Sequence, residues 1–395
     1  VTYAEALGLE PGAVVKPTSV DEVASVIAGA QAEGKAVVPW GGGMAQTYGY
    51  LPRRADVLLD MTGLNRVVGH EPGDLTVTVE AGATLAQVQE VLAGHNQFLP
   101  LDPPYADRAT IGGMLATDAF GASRTGYGSA RDWLIGIRVV DAQGRIVKGG
   151  GKVVKNVTGY DLPKLHVGAL GTLGVIVEAT FKVAPRPEFS RPISFALPAN
   201  TGDAEGFLAA LHRETTPAFS LLREMAGERL LFLLYSGIQE VVESERAKSV
   251  ELAAAHGFAP TNALPAEMDR PFADPSGEVS PLIIRLAGCL QKALTQHEAV
   301  AAMGGWHRVD TLPGTGHTTA YLADTEDAET ALTQVVEWAD AHKTPLTVLY
   351  APFDLRAEGA PLWRPLPPSL PLMRRLKEML DPNATLNPGR FIGGI

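Results

Sequence analysis

The chain has 395 residues, 46% hydrophobic and 19% charged, with a formal net charge of −11. That length exceeds one ordinary core and predicts two or three domains. The acidic balance, with no Lys/Arg cluster, argues against nucleic acid, whose phosphates demand a basic face. A single cysteine, Cys289, rules out an internal disulfide and any thiolate metal or iron–sulfur site made by this chain alone. Its setting, RLAGCLQ, predicts a buried thiol in a reducing compartment. The opening VTYAEALGLEP has neither the basic nor the apolar region of a signal peptide, and no apolar run reaches the roughly 18 residues that span a bilayer. The expectation is a cytoplasmic protein, associated with a membrane only through a partner.

In chain order, Ser19 and Glu22 have the spacing of a capping box. They open a helix with Val23, Val26, Ile27 and Ala30 on one face, which Gly34 closes. The strand Ala36–Val38 then leads into Pro39-Trp40-Gly41-Gly42-Gly43-Met44. Strands Val57–Asp60 and Thr76–Glu80 follow, and Thr84 with Gln87 caps a second helix. Glycine is concentrated further on: 14 of the 42 fall between residues 101 and 180. So many glycines between apolar strands suit either tight turns or backbone lying against a ligand. Leu134–Val140 and Arg145–Lys148 read as a hairpin, and Leu173–Val183 as a buried strand ended by Pro185-Arg186-Pro187, the best domain boundary.

Beyond residue 190 glycine thins out. Helices are predicted at 203–214, 239–256, 290–303 and 325–342, alternating with strands at 229–235, 281–287, 318–322 and 345–350. This suits a sheet backed by helices. A proline-rich stretch (353–371), a last helix Leu372–Leu380 and the tail Asp381–Phe391 complete the chain. The expected fold class is α+β: a two-part domain over 1–187, a cap of antiparallel sheet and helices over 188–350, and a C-terminal segment, 351–395, returning to the first domain.

Three consecutive glycines after a strand can present successive N–H groups to an anion such as a pyrophosphate, or form a turn. Thr110-Ile111-Gly112-Gly113 offers the same two readings. Neither is GxGxxG. Gly149-Gly150-Gly151-Lys152 fails as a phosphate loop, because Ile146 and Val153 occupy positions that need Gly and Ser/Thr. The glycines of Gly168–Gly174 could let the following strand lie along a flat ring. No histidine pair has metal-binding spacing, so no metal site is expected. His317 is the one histidine in a glycine-rich context.

Together PWGGGM, DPPYADRATIGGMLATDAFG, Tyr127-Gly128 and KNVTGYDLPKLHVGALGTLGVIVEATFKVAPRP resemble the FAD-binding module of vanillyl-alcohol-oxidase/PCMH-type flavoproteins. The likeness covers about residues 15 to 187. Within that family, the KVVKNVTGYDLPKLHVGALGTLG stretch is most similar to the E subunits of bacterial glycolate oxidases, which have a hydrophobic residue at Leu170 where the D subunits have Glu.

The resemblance implies non-covalent FAD. Its cofactor residues would be Trp40, Gly41, Gly42, Gly43 and Met44 with Thr110, Ile111, Gly112 and Gly113 at the pyrophosphate, and Asp102, Ala116, Thr117 and Gly121 along the cofactor. Gly174, Val175 and Ile176 would lie beside the isoalloxazine, with Asn387 returning towards the ring. It also implies a glycolate oxidase complex with a D-type flavin subunit and an iron–sulfur subunit, acting on a small 2-hydroxyacid. A self-sufficient flavin oxidoreductase and a non-catalytic scaffold stand as alternatives. Met44, Met114 and Asp118 depart from the family's usual Thr, Asn and Asn. The cap lacks the HxGDGN motif of catalytic members, which leaves the catalytic residues unknown and Arg285, Arg308 and His317 as the ones to test.

Overall fold

The computed structural model describes residues 3–151, 161–199, 201–263 and 280–395. Lys152, Val153 and the KNVTGY segment lie outside them. The helix Val20–Ala32 is capped by the Ser19 hydroxyl, which accepts the N–H of Glu22. The Glu22 carboxylate reaches the N–H of Thr18 rather than that of Ser19, so the box is offset by one residue. Thr84 and Gln87 form the complete reciprocal pair on the helix Leu85–Ala93. Gly34 sits at φ 65°, the left-handed stop expected of it.

The first part of the fold is a three-stranded parallel sheet, with Val57–Asp60 between Ala13–Val15 and Val37–Trp40. Beside it stands a five-stranded antiparallel sheet, in the order Val67–Glu71, Thr76–Glu80, Val175–Lys182, Leu134–Val140, Ile146–Gly150. Val175–Lys182 is buried along nearly its whole length, which explains its unbroken apolar sequence. Ala184–Pro185 pairs with Gln97–Phe98 and ends this half.

The second half is one nine-stranded antiparallel sheet. Its order is Pro260–Thr261, Phe189–Ala196, Glu228–Gly237, Phe219–Met225, Trp306–Leu312, His317–Leu322, Ile283–Ala287, Leu346–Tyr350, Trp363–Arg364. The sheet therefore continues past residue 350 into the proline-rich stretch. Five of its strands are not predicted from the sequence: the two-residue Pro260–Thr261 and Trp363–Arg364, and three longer ones. Pro192 disguises Phe189–Ala196, yet only Ser194 and Phe195 of that strand pair with Pro260–Thr261, so the proline lies beside a short edge where no donor is needed. Phe219–Met225 and Trp306–Leu312 are interrupted by Arg223, Arg308 and Asp310, which form a buried ion cluster instead of an apolar run. Arg223 Nε lies 2.8 Å and Arg308 Nε 2.9 Å from the Asp310 carboxylate. Cys289 is exposed, contrary to the buried setting expected from its neighbours. It follows the end of strand Ile283–Ala287, outside the sheet.

The last helix, Leu370–Leu380, brings the tail back. Lys377 is buried, and its Nζ donates to Asp381 (2.6 Å), the Thr172 carbonyl (2.7 Å) and the Leu386 carbonyl (2.8 Å). Asp381 also accepts the N–H groups of Thr385 and Leu386. Leu386 bridges Val37, and the Asn387 N–H bonds to the Val37 carbonyl. Asp381→Ala strands an ammonium in this knot, and loss of one partner of a buried pair costs about 3–5 kcal/mol. Urea unfolding at neutral pH should show that loss; a change below about 1 kcal/mol would contradict it.

Candidate functional site: a flavin cradle beneath a cationic junction

The Trp40–Met44 loop follows strand Val37–Trp40. Among the described residues, no acceptor serves the backbone N–H groups of Gly41, Gly42, Gly43 or Met44. Successive unsatisfied N–H groups form an anion nest. The loop is also tightly enclosed. A Cβ on Gly42 would sit 1.9 Å from the Arg108 carbonyl oxygen, and one on Gly41 2.2 Å from the Thr110 hydroxyl. A cavity of about 300 Å³ opens here between Gly42, Thr62, Asn65, Gly82, Arg108 and Thr110. Thr62, Asn65 and Arg108 carried no signal in the sequence, because they sit singly in unremarkable turns.

Thr110-Ile111-Gly112-Gly113 is neither a turn nor a row of free donors. Thr110 caps a short helix, Ile111–Thr117, and the N–H groups of Ile111 and Gly112 bond to the carbonyls of Ala83 and Ala81. The role of this segment is to wall the nest and to pack closely: a Cβ on Gly112 would lie 2.9 Å from that of Ala81. The glycine pair hid the helix from sequence reading. Along the same helix, the Ala116 carbonyl accepts the Leu170 N–H and the Thr117 hydroxyl returns to Gly113.

Asp102 and Gly121 meet each other. The Asp102 carboxylate accepts the N–H groups of Gly121 (3.1 Å) and Ser123 (2.9 Å), ordering the loop after the helix. Burial pushes its carboxyl up to about 6, although these donors oppose the shift.

Gly174 leads into strand Val175–Lys182. The neighbouring strand pairs only as far as Glu80 opposite Glu178, so Val175 and Ile176 have a strand partner on one side alone, at Val140 and Val139. That open edge suits a planar ring with hydrogen-bonding groups. His166, to which nothing in the sequence drew attention, lies against Gly174. It is buried, and its Nδ1 has no partner. Desolvation holds it down to about 4, hence neutral. Asn387 approaches the same region. Its Nδ2 donates to the Leu170 carbonyl at 2.6 Å, while its buried Oδ1 has no partner. The nest, the open strand edge and this orphaned oxygen fit a dinucleotide carrying a flat polar ring.

Above the cradle, the cap contributes Arg285 and His317 on adjacent strands. Arg285 lies 4.1 Å from the centroid of the Phe120 ring, as does Arg124. His317 meets the same ring edge-on at 5.0 Å. Arg124 is 3.8 Å from Asp118, whose carboxyl is raised by burial against the pull of Arg124, Arg131 and Arg285. Arg285 makes no ion pair among the described residues; its Nε contacts the Thr319 hydroxyl at 3.4 Å. Burial first, then Arg285 and Arg124, lowers His317 to about 3. Tyr48, whose phenol is raised mainly by burial, completes the junction from the first domain. Arg308 does not join it, being committed to Asp310. No His/Cys/Asp/Glu group able to hold a metal occurs among the described residues, and no helix there is long and apolar enough to cross a membrane.

With this geometry in view, the chain's likeness to known proteins is specific. Residues 11–150 match the family described as "FAD binding domain". The chain carries the PCMH-type FAD-binding domain, and FAD is the cofactor of that domain. Over 133 residues it is 41% identical to the glycolate oxidase subunit GlcE of Escherichia coli (strain K12), covering 33% of this chain and 38% of that protein. It is 33% identical over 221 residues to a D-2-hydroxyglutarate dehydrogenase of Xanthomonas citri pv. viticola, covering 56% of this chain and 47% of the relative. The chain thus spans less than half the length of these relatives. The p-cresol methylhydroxylase crystal structure with substrate bound shares the fold, with a TM-score of 0.72 at 17% identity over 95% of this chain and 88% of that one. An alkyldihydroxyacetonephosphate synthase structure does so too, with a TM-score of 0.71 at 16% identity over 96% and 77%.

Two outcomes are expected. Gly42→Ala should release FAD on gel filtration, read from absorbance near 450 nm, because its methyl group meets the Arg108 backbone; full retention would contradict the cradle. Asp102 has a folded pKa above its unfolded value, so the native state binds the extra proton between about pH 4 and about pH 6. Its contribution to stability is therefore full at low pH and declines through that window, by roughly 3 kcal/mol. Asp102→Asn should flatten that part of the stability–pH curve.

Proposed function

We propose that this chain is the E-type, FAD-binding subunit of a glycolate oxidase-like complex that oxidises a small 2-hydroxyacid, glycolate, to its 2-oxoacid, glyoxylate. A D-type flavin subunit and an iron–sulfur subunit would be its partners. The observation that carries the reading is Arg285: a half-buried guanidinium with no ion pair among the described residues, at the junction of cap and FAD domain. A guanidinium in that state suits a substrate carboxylate, which it binds in a planar, directional way. Bound FAD supplies a two-electron acceptor for hydride from the substrate carbon. The protein's own part is orientation and proton control.

Arg285, steadied on Phe120 and Thr319, would hold the carboxylate. His317 turns Nδ1 towards Thr315 (Nδ1 to Oγ1, 3.0 Å), which leaves Nε2 to accept from the substrate hydroxyl. The charge of Arg285 makes this imidazole a weak base in the free protein. A bound carboxylate would cancel that charge and raise its basicity when the hydroxyl proton must leave. The GlcE likeness supports the subunit reading.

The test is an anaerobic titration of the FAD-loaded chain with glycolate, followed at the flavin band, alone and with the two partner subunits. Bleaching that needs the partners supports the proposal, the partners then completing the Arg285–His317 junction, whereas bleaching by the chain alone would make it a self-sufficient oxidoreductase. No reduction in either setting would leave a scaffold. Arg285→Met should keep FAD and its spectrum yet slow reduction at fixed glycolate by at least about 100-fold, as expected for loss of a charge-assisted contact.

A further inference from the structure

Two arginines in the C-terminal region are buried without a counter-charge among the described residues. Arg356, on the helix Phe353–Ala357, is 3% exposed and Arg390 2%. Arg356 donates from Nε to the Gly49 carbonyl (3.3 Å) and from Nη1 to the Ala6 carbonyl (2.9 Å), and its Nη2 has no partner. Arg390 donates from Nη2 to the carbonyls of Gln46 and Tyr48, leaving Nε and Nη1 without partners. Neither meets a carboxylate within 4 Å among the described residues. Burial, and then the charge of Arg356, draws Arg390 down to about 9, so the two cations act on one another. Both remain charged at neutral pH. Carbonyl dipoles alone compensate a buried cation poorly, and such a pair is stable when an anion completes it.

A groove of about 640 Å³ reaches Arg356, and that size is typical of a small-molecule site. Leu9, Ala351 and Phe353 give it apolar walls, and Thr47 and Tyr350 add hydroxyl groups. Glu5 and Glu10, both exposed, also line it. A second negative group on a ligand would meet the Glu10 carboxylate.

We propose that this groove is a binding site for an organic monocarboxylate with an uncharged, apolar body, its carboxylate paired with Arg356. The site lies apart from the Arg285 junction and does not depend on the reading given to that junction. One carboxylate supplies the missing charge, and the walls cover the body.

Benzoate is a suitable probe, titrated calorimetrically into the FAD-loaded protein at low ionic strength. One saturable site with Kd below about 10 mM is expected. Arg356→Met should weaken it at least about tenfold, with the flavin spectrum unchanged. Glu10→Lys, an exposed change that leaves the core untouched, should tighten it about threefold by removing repulsion. Arg285→Met should leave it unaltered. Absence of saturation, an unchanged affinity in Arg356→Met or in Glu10→Lys, or loss of binding in Arg285→Met would each overturn the proposal. Should Arg356→Met fail to fold, the Glu10→Lys and Arg285→Met results decide it.

Discussion

The Lys377 ammonium is the point on which the cradle depends. It ties the end of the last helix to Asp381, to the Thr172 carbonyl in the glycine-rich 168–174 loop, and to Leu386 in the tail. A buried ammonium has three protons to place, and here all three find acceptors from different parts of the chain. Asn387 is positioned as a result, one residue past Leu386 and against Leu170. Leu170 and Asn387 both adopt left-handed backbone, at φ 50° and 46°. Such strain at non-glycine residues persists only where surrounding contacts over-determine it, and the knot supplies those contacts.

The two halves of the candidate site rest on different physics. The cradle is backbone chemistry: glycines whose missing side chains let the Trp40–Met44 loop touch Arg108 and Thr110, and N–H groups without acceptors among the described residues. The junction above it is side-chain electrostatics. Arg124 has Asp118 as a partial counter-charge, His317 is neutral, and Arg285 is left with a charge to satisfy. A half-buried cation with no ion pair among the described residues suits a singly charged ligand.

Much of the first half was legible in the sequence because its signals are local. Capping residues, the Gly34 stop, strand alternation at Thr76–Glu80 and the apolar run of Val175–Lys182 each follow from nearest neighbours. The cradle loop announced itself through three adjacent glycines. The helix Ile111–Thr117 did not, since Gly112 and Gly113 lower helix propensity and only contact with Ala81 and Ala83 requires it. In the cap, Arg223 and Asp310 broke the apolar patterns of their strands, and nothing local reveals that they neutralise one another across the sheet. Arg308, one of the three cap residues singled out for testing, proves to be part of that cluster. Arg285 and His317 were singled out on residue type; that both face Phe120 is a tertiary fact no spacing encodes.

The final strand of the cap sheet, Trp363–Arg364, has a bearing on movement. The Trp363 ring packs against Tyr48, Tyr50 and Phe391, with centroids 5.7, 5.4 and 5.9 Å apart. Each such aromatic pair contributes about 0.5–1.5 kcal/mol beyond its buried area. Two of these rings belong to the first domain and one to the tail, so the sheet is clamped at that end. A lid-like swing of the whole cap would have to separate all three pairs at once. With that end of the sheet held, loops rather than the whole sheet are left free to move.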